Sequence, residues 1–346
     1  MLIALPVSII ATLLAILALV PFARKIGLVD VATGRKNHVG HIPLIGGLSI
    51  AVGFVCAFFW LTPASEETLW VLAATLFLLL IGIADDLFGL GWRSRLAAQI
   101  VATGLVMTTT ELQLSALGSL PIIGTLSAGY LAPLLTILAV VGLTNAFNLI
   151  DGIDGLAGSM ALISIFAIIT FQNGLHVHNL EYLAVMAAAL LPYLYFNMFG
   201  GQRYKIFLGD AGSTALGFVI AWTLINQTQS PGTGMAPSAA LWCVAIPVLD
   251  TIGVMFRRMR KGQSPFMPDR MHLHHILMRV GLSPKASLAL LTCAACSLAF
   301  VGLVFNQIAP NWSSLGFVCA FCLYAWGLSN AWKVTRMLKR RRVEKR

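Results

Sequence analysis

The 346-residue chain is 58% hydrophobic and only 10% charged, with a mean hydropathy of +0.85 and a formal net charge of +10. A soluble domain carries about 25% charged residues, so this composition excludes a soluble enzyme or binding module and leaves a polytopic membrane protein. The basic excess does not make the chain a nucleic-acid binder, because no soluble surface remains to present it.

Hydropathy predicts an all-α polytopic membrane protein with about 11 transmembrane helices, each near the length a bilayer needs. In chain order they fall at 2–20, 45–62, 69–84, 96–111, 130–147, 157–172, 180–196, 212–228, 238–256, 286–305 and 314–332. The first run, Leu2 to Val20, lacks a basic n-region and a small-residue cleavage site, so it is read as a span and not as a removed leader. No internal repeat and no long linker interrupt the series. Residues 1–332 are therefore expected to form a single transmembrane catalytic domain, followed by a basic tail at 333–346.

Lys and Arg set the orientation. The connections at 21–44, 85–95, 148–156, 197–211 and 257–285, together with the tail, hold all 23 of them. The opposite side holds Glu66, Glu67, Glu111 and Glu181 and no basic residue. This places the N-terminus in the periplasm and the C-terminus in the cytoplasm. The basic face suits anionic membrane lipids and an anionic cytoplasmic substrate. The tail "KVTRMLKRRRVEKR" is a topology determinant with some lipid contact.

The acids fall at the ends of spans on that same side. The third span closes in "IADDLFGLGWRSR" (Ala84 to Arg95). Two adjacent carboxylates, Asp85 and Asp86, cannot both be comfortable as anions beside a membrane; one ionises while the other is protonated or held by a cation. Such a pair serves as a base or organises a metal, and Arg93 and Arg95 bring positive charge beside it. The fifth span delivers "NAFNLIDGIDGL" (Asn145 to Leu156). Asn145, Asn148, Asp151 and Asp154 offer oxygen donors only, which suits a hard ion such as Mg²⁺ and not zinc. Gly152 and Gly155 allow a bulky group to come close, and amides opening the next helix suit phosphate.

Further on, "YKIFLGDAGSTALGF" (Tyr204 to Phe218) sets Asp210 between Gly209 and Gly212 at the start of a span, with Ser213 at a capping position. An Asp so placed can hold Mg²⁺ against phosphate oxygens, and Lys205 offers a phosphate partner. Phe207 reads equally well as a stacking ring and as interface packing. Asp250 lies inside a span, ahead of Arg257, and its best account is support of the cytoplasmic pocket. The longest basic connection, "KGQSPFMPDRMHLHHILMRVGLS", brings Arg270, His272, His274 and His275. Without an evident Cys or acid set for zinc, these more naturally grip a diphosphate. His176 and His178 fall in an outer connection and read as loop residues. "CAAC" and "CAFC" lie inside apolar spans, where paired Cys are packing residues; no disulfide is implied.

Five ordered motifs, "RKIGLVD…HIPLIGG", "DDLFGLGWRSR", "NAFNLIDGIDGL", "KIFLGDAGST" and "SPFMPDRMHLHH", resemble the polyprenyl-phosphate N-acetylhexosamine-1-phosphate transferases, glycosyltransferase family 4. The likeness spans most of the chain. It is strongest to the bacterial branch that puts GlcNAc-1-phosphate on undecaprenyl phosphate, which "SPFMPDRMHLHH" and "RKIGLVD…HIPLIGG" resemble; the muramoyl-pentapeptide branch instead usually carries a triple His, where Leu273 here separates His272 from His274. The resemblance implies a multi-pass enzyme of the bacterial inner membrane with its active site on the cytoplasmic face. It would transfer GlcNAc-1-phosphate from UDP-GlcNAc to undecaprenyl phosphate, releasing UMP, as the first membrane step of lipopolysaccharide O-antigen or other cell-surface polysaccharide synthesis. Likeness alone favours UDP-GlcNAc over other UDP-N-acetylhexosamines. The implied cofactor is Mg²⁺, with Mn²⁺ as a substitute, and a homodimer is one assembly open to the chain.

Residue by residue, the resemblance makes Asp210, Asn148 and Asp86 metal ligands. It pairs Asp85 with Asp86 for activation of the lipid phosphate or support of the metal. It assigns Asn148, Asp151 and Asp154 to the nucleotide and metal loop, Phe207 to uracil stacking and Arg95 to the phosphates. Asn145 and Lys205 join the substrate-binding set, and Arg270, His272, His274 and His275 grip sugar and diphosphate. A lipid phosphate is already largely ionised near pH 7, since its second pKa is about 6, so charge organisation should outweigh proton removal. Two other classes fit less well. CDP-alcohol phosphotransferases need Ala-Arg where Gly158-Ser159 stands. A transporter would use Asp250 as an intramembrane acid, but the other acids gather on one surface and no inverted repeat accompanies them.

Overall fold

The computed structural model describes residues 2–31, 40–61, 65–171, 181–230, 232–233, 235–264 and 271–343. Within them, the apolar runs are mostly helical. The first is α1 (Ala4–Ile26), which carries Arg24 and Lys25 in its last turn, where they favour the negative end of the helix dipole, and stops at a left-handed Gly27. Next come α2 (Gly46–Phe58), α3 (Glu66–Phe88) and α4 (Trp92–Thr110). Ser65 caps α3 by accepting the Thr68 N–H at 3.2 Å, and a left-handed Gly89 ends it. Then follow α5 (Ala132–Ile150), α6 (Leu156–Phe171), α7 (Glu181–Phe199), the short α8 (Gly201–Tyr204) and α9 (Gly209–Gln229). The series closes with α10 (Ala239–Cys243), α11 (Ala245–Arg260), α12 (Leu273–Val280), α13 (Pro284–Ile308) and α14 (Pro310–Val343).

Five helical stretches among the described residues are long and apolar enough to cross a membrane: Ala4–Ile26, Glu66–Phe88, Gly129–Ile150, Glu181–Phe199 and Pro284–Ile308. At the centre lies α9, buried along almost its whole length against α3, α5, α2 and α6. Its own Phe218 and Trp222 join Phe147, Met160, Ile165, Ile168 and Tyr193 in one buried core.

Three features depart from the sequence expectation. The span expected at 238–256 is two helices, α10 and α11, separated at Val244. Pro247 explains the break: its ring opposes the carbonyl of Cys243 and it has no N–H to donate, so it fits only the first turn of a new helix. The chain is mostly helical but not all-α. Strand β1 (Val29–Val31) pairs antiparallel with β2 (His41–Pro43), and β3 (Ala116–Leu120) with β4 (Gly124–Ser127). Both hairpins sit in connections, where backbone groups leaving the helices need partners. The basic segment from Lys333 is a continuation of α14 as far as Val343.

The start of α9 is fixed by backbone rather than by side chains. Phe207 donates its N–H to the Pro43 carbonyl at 2.9 Å, and Gly46 and Gly47 donate to the carbonyls of Phe207 and Leu208, each at 2.9 Å. Two glycines then let neighbouring helices close on this turn. A Cβ on Gly47 would lie 2.3 Å from the Gly212 Cα, and one on Gly82 would lie 2.3 Å from the Ala211 Cα. Gly82→Ala should therefore push α3 away from α9, at a cost of about 1–3 kcal/mol. The expected result is a lower melting temperature in detergent, with activity falling in step; an unchanged melt would contradict this packing.

Candidate active site

Four helices bring the expected carboxylates together. Asp85 and Asp86 close α3, Arg95 lies in the first turn of α4, Asn148 in the last turn of α5, and Asp210 in the first turn of α9. Arg95 is the centre of the group. Its Nη1 donates to Asp85 Oδ2 at 2.8 Å and to Asp210 Oδ2 at 2.9 Å. Asn148 Nδ2 donates to Asp210 Oδ1 at 2.8 Å and to Ser213 Oγ at 3.0 Å. Both Asp210 oxygens are thus gripped by donors from different helices, while 37% of its side chain remains accessible.

Asp86 does something its neighbour does not. Its Oδ1 accepts the Asp210 N–H at 3.0 Å and its Oδ2 the Ala211 N–H at 3.3 Å. It caps α9 from across the helix interface, replacing the capping side chain that Leu208 lacks. Adjacent in sequence, Asp85 and Asp86 point to different tasks: one meets a guanidinium, the other holds a helix start.

The turn from Asp151 to Gly155 joins α5 to α6 and carries the next set. Lys205 Nζ donates to Asp154 Oδ2 at 2.6 Å and stands 5.6 Å from the centre of the Phe207 ring. Burial, reinforced by the charges of Asp210, Asp154 and Asp86, pushes the Asp151 carboxyl up to about 7. Near neutral pH it is divided between acid and carboxylate, and an approaching cation would favour the charged form. Gly155 has φ 79°, a conformation glycine adopts without strain, and donates its N–H to Asn197 Oδ1 at 2.6 Å. Asn197 Nδ2 donates in turn to the Ile206 carbonyl at 2.9 Å. This buried asparagine, 3% exposed, ties the Asp151–Gly155 turn to the segment ahead of Asp210. Sequence reading missed it; the available signal was one Asn in the otherwise apolar "LPYLYFNMF".

Asn145 lies apart from the carboxylates. Its Nδ2 donates to Gln99 Oε1 at 2.6 Å and to the Val141 carbonyl at 2.8 Å, which pins α5 to α4. His274 reaches the turn from the other side, for a Cβ on Gly152 would fall 2.1 Å from its Nε2. Burial, with His275 beside it, lowers His274 to about 4, so the ring is neutral at pH 7. His272 lies nearly parallel to His274, ring centres 6.0 Å apart, and the His275 ring centre is 4.2 Å from that of His274. Arg270, His176 and His178 lie outside the described residues.

No three His, Cys, Asp or Glu side chains among the described residues are grouped as a closed metal cage. The donor set nevertheless fits a hard divalent ion: Asp85 Oδ2 and Asp210 Oδ2 converge on one point, the Arg95 nitrogen, and Asn148 adds a side-chain amide alongside. Carboxylate oxygens are the donor type a hard ion takes, and here the Arg95 guanidinium fills the point on which these two converge.

Comparison with known proteins identifies the family. Residues 68–228 match the family described as glycosyl transferase family 4. The chain is 40% identical over 350 residues to an undecaprenyl-phosphate alpha-N-acetylglucosaminyl 1-phosphate transferase of Pasteurella multocida (strain Pm70), covering 99% of this chain and 97% of that one. It is 38% identical over 329 residues to proteins of the same description from Escherichia coli (strain K12) and Salmonella typhi, covering 92% of this chain and 88% of each of those.

Proposed function

We propose, from the premise that the chain belongs to the undecaprenyl-phosphate alpha-N-acetylglucosaminyl 1-phosphate transferase family, that it moves GlcNAc-1-phosphate from UDP-GlcNAc onto undecaprenyl phosphate. The products are undecaprenyl-diphospho-GlcNAc and UMP. The observation that carries this reading is the convergence of Asp85, Arg95, Asn148 and Asp210 from four helices at one surface of the bundle.

In this reading an oxygen of the lipid phosphate attacks the sugar-linked phosphorus. The bond from that phosphorus to the bridging oxygen breaks, and the bridging oxygen leaves with UMP. Such transfers need positioning and charge neutralisation more than covalent help. Mg²⁺, held by Asp210 with Asn148 and Asp85 beside it, would neutralise diphosphate charge. Asp86, expected as a ligand, acts by fixing the turn that aims Asp210. Arg95 and Lys205 supply permanent positive charge for phosphates, and Asp151 and Asp154 lie where the nucleotide would approach. His272, His274 and His275 border the same turn and meet the diphosphate and sugar. Phe207 either stacks uracil or packs beneath Lys205.

The finer topology follows from charge. Eleven crossings with the basic ends in the cytoplasm set the carboxylate group at the inner surface of a bacterial inner membrane, where a soluble nucleotide sugar meets a lipid anchored by its prenyl chain. The product would then serve O-antigen or a related surface polysaccharide.

The test is UMP release by the purified chain in detergent with undecaprenyl phosphate, UDP-GlcNAc and Mg²⁺. The expected outcome is lipid-linked GlcNAc in equal amount to UMP, loss of both in EDTA, and recovery on adding Mg²⁺ or Mn²⁺. Turnover insensitive to EDTA would remove the metal from the mechanism. Turnover only with another UDP-sugar would move the specificity, and no UMP from any UDP-sugar would overturn the transferase reading.

A further inference from the structure

A second group of buried polar side chains lies behind the histidines, centred on α11 and α14, which the transfer chemistry leaves unused. Asp250 is in the middle of α11 and 2% exposed. Three donors converge on it. Its Oδ2 is 2.9 Å from His272 Nδ1, and its Oδ1 accepts the Leu273 N–H at 2.8 Å and the Tyr324 hydroxyl at 2.9 Å. They come from the start of α12 and from α14, 22, 23 and 74 positions along the chain. One turn on from Asp250, Gly253 keeps the same face bare: a Cβ there would lie 2.5 Å from Tyr324 Cε1. Without that glycine the tyrosine ring could not lie along α11 and reach the carboxylate.

We propose that Asp250 is a positioning residue: with Tyr324 behind it, it fixes the His272 ring and the first turn of α12, and thereby sets His274 against the Asp151–Gly155 turn. The inference rests on the transfer reading above and gives one part of that site its support.

The physical case has three parts. The 2.9 Å contact of Nδ1 with a carboxylate oxygen suits the tautomer that carries its proton on Nδ1, which leaves Nε2 as the nitrogen open to other groups. Such a second carboxylate partner is the usual way a protein fixes an imidazole tautomer and its ring plane. The Leu273 N–H is the first orphan amide of α12. His272 stands at the cap position with an extended backbone and makes no side-chain cap; Asp250 supplies that cap from another helix. His274 lies two residues further on and is 1% exposed, and both its ring nitrogens lack a hydrogen-bond partner among the described residues. A buried neutral imidazole with both nitrogens unpaired is costly. Held at the bare face of Gly152, it is poised for a polar group of the nucleotide sugar.

The test uses the full-length protein in detergent, with Asp250→Asn and Tyr324→Phe beside the wild type. The Asn oxygen still accepts from Leu273 and Tyr324, but its amide presents a donor to His272 Nδ1. Two readouts are taken: steady-state UMP release, and the rate at which diethyl pyrocarbonate modifies each histidine, mapped by mass spectrometry. For Asp250→Asn, kcat should fall about 10–100-fold while the KM for undecaprenyl phosphate and the melting temperature stay close to wild type. Tyr324→Phe should give a smaller loss in the same direction. His272 and His274 should become modified about tenfold faster in Asp250→Asn, as the grip on α12 loosens. Wild-type kcat with unchanged modification overturns the proposal, as does a loss of activity that merely tracks a lowered melt. Should the wild type make no UMP while the modification pattern still changes, the transfer reading fails and the grip of Asp250 on the histidines stands.

Discussion

Asp210→Asn should lower kcat for UMP release by about 1,000-fold, the upper end of what one preorganised electrostatic group contributes, with almost no change in stability. The two effects separate because of where Asp210 sits. Its side chain is partly open to solvent, in the first turn of α9, and no apolar packing depends on it. An acid at that position favours the helix by about 0.3–1 kcal/mol. The Asn oxygen still accepts from Asn148, while its amide nitrogen takes the place of the oxygen that faced Arg95, so one half-exposed ion pair, about 0–1 kcal/mol, is lost. What disappears is the negative charge that Arg95 and Asn148 hold in place and that the proposed Mg²⁺ would need. Kinetics with UDP-GlcNAc and a thermal melt on the same preparation check both halves. Turnover within tenfold of wild type would take Asp210 out of the reacting group.

Asp86→Ala should instead damage fold and function together. The Ala cannot accept the Asp210 and Ala211 amides, and each buried N–H left unpaired costs about 1–3 kcal/mol. Against the roughly 5–15 kcal/mol that holds a domain together, losing two is a large fraction. The melting temperature in detergent should drop by about 5–10 °C, and UMP release should become undetectable because Asp210 loses its fixed direction. Asp86→Asn should fall between, since one oxygen remains while the amide nitrogen faces an N–H. If Asp86→Ala melted like the wild type and lost only activity, its role would be chemical and the cap incidental. The two neighbours of the "DD" pair are thereby distinguished by experiment where sequence treats them alike.

Much of the site was legible because polar residues are conspicuous in apolar surroundings. Asp85, Asp86, Asn148, Asp151, Asp154 and Asp210 stood at the ends of hydrophobic runs, and four of them converge in the structure with Arg95. Their division of labour was not legible. Whether an Asp meets a guanidinium or a pair of amides depends on which helix crosses it, and sequence spacing along α3 says nothing about the register of α9. The bond from Asp250 to His272 was hidden for the same reason, since its ends lie on different helices and neither residue type at that distance forms a pattern. Asn145 carried the right chemistry at the right spacing, yet three residues ahead of Asn148 and nearly a turn deeper it meets Gln99 instead. The mostly helical character was readable from hydropathy; the break at Val244 needed the proline rule applied inside a run that otherwise read as one span.

The backbone pairing of Pro43, Gly46 and Gly47 with Phe207 and Leu208 also bears on how the protein is made. Chains emerge from the ribosome N-terminus first, at about 5–20 residues per second. The strand that aligns α9 is therefore in place long before the segment it aligns exists. Asp85, Asp86, Arg95 and Asn148 enter the membrane as a scaffold with a gap, and the gap closes only when Phe207 returns to the edge left by Pro43. A nascent chain halted just short of residue 210 carries Asp85, Asp86, Arg95 and Asn148 but lacks the Asp210 that joins them. The enzyme cannot act on its lipid until its insertion is well advanced.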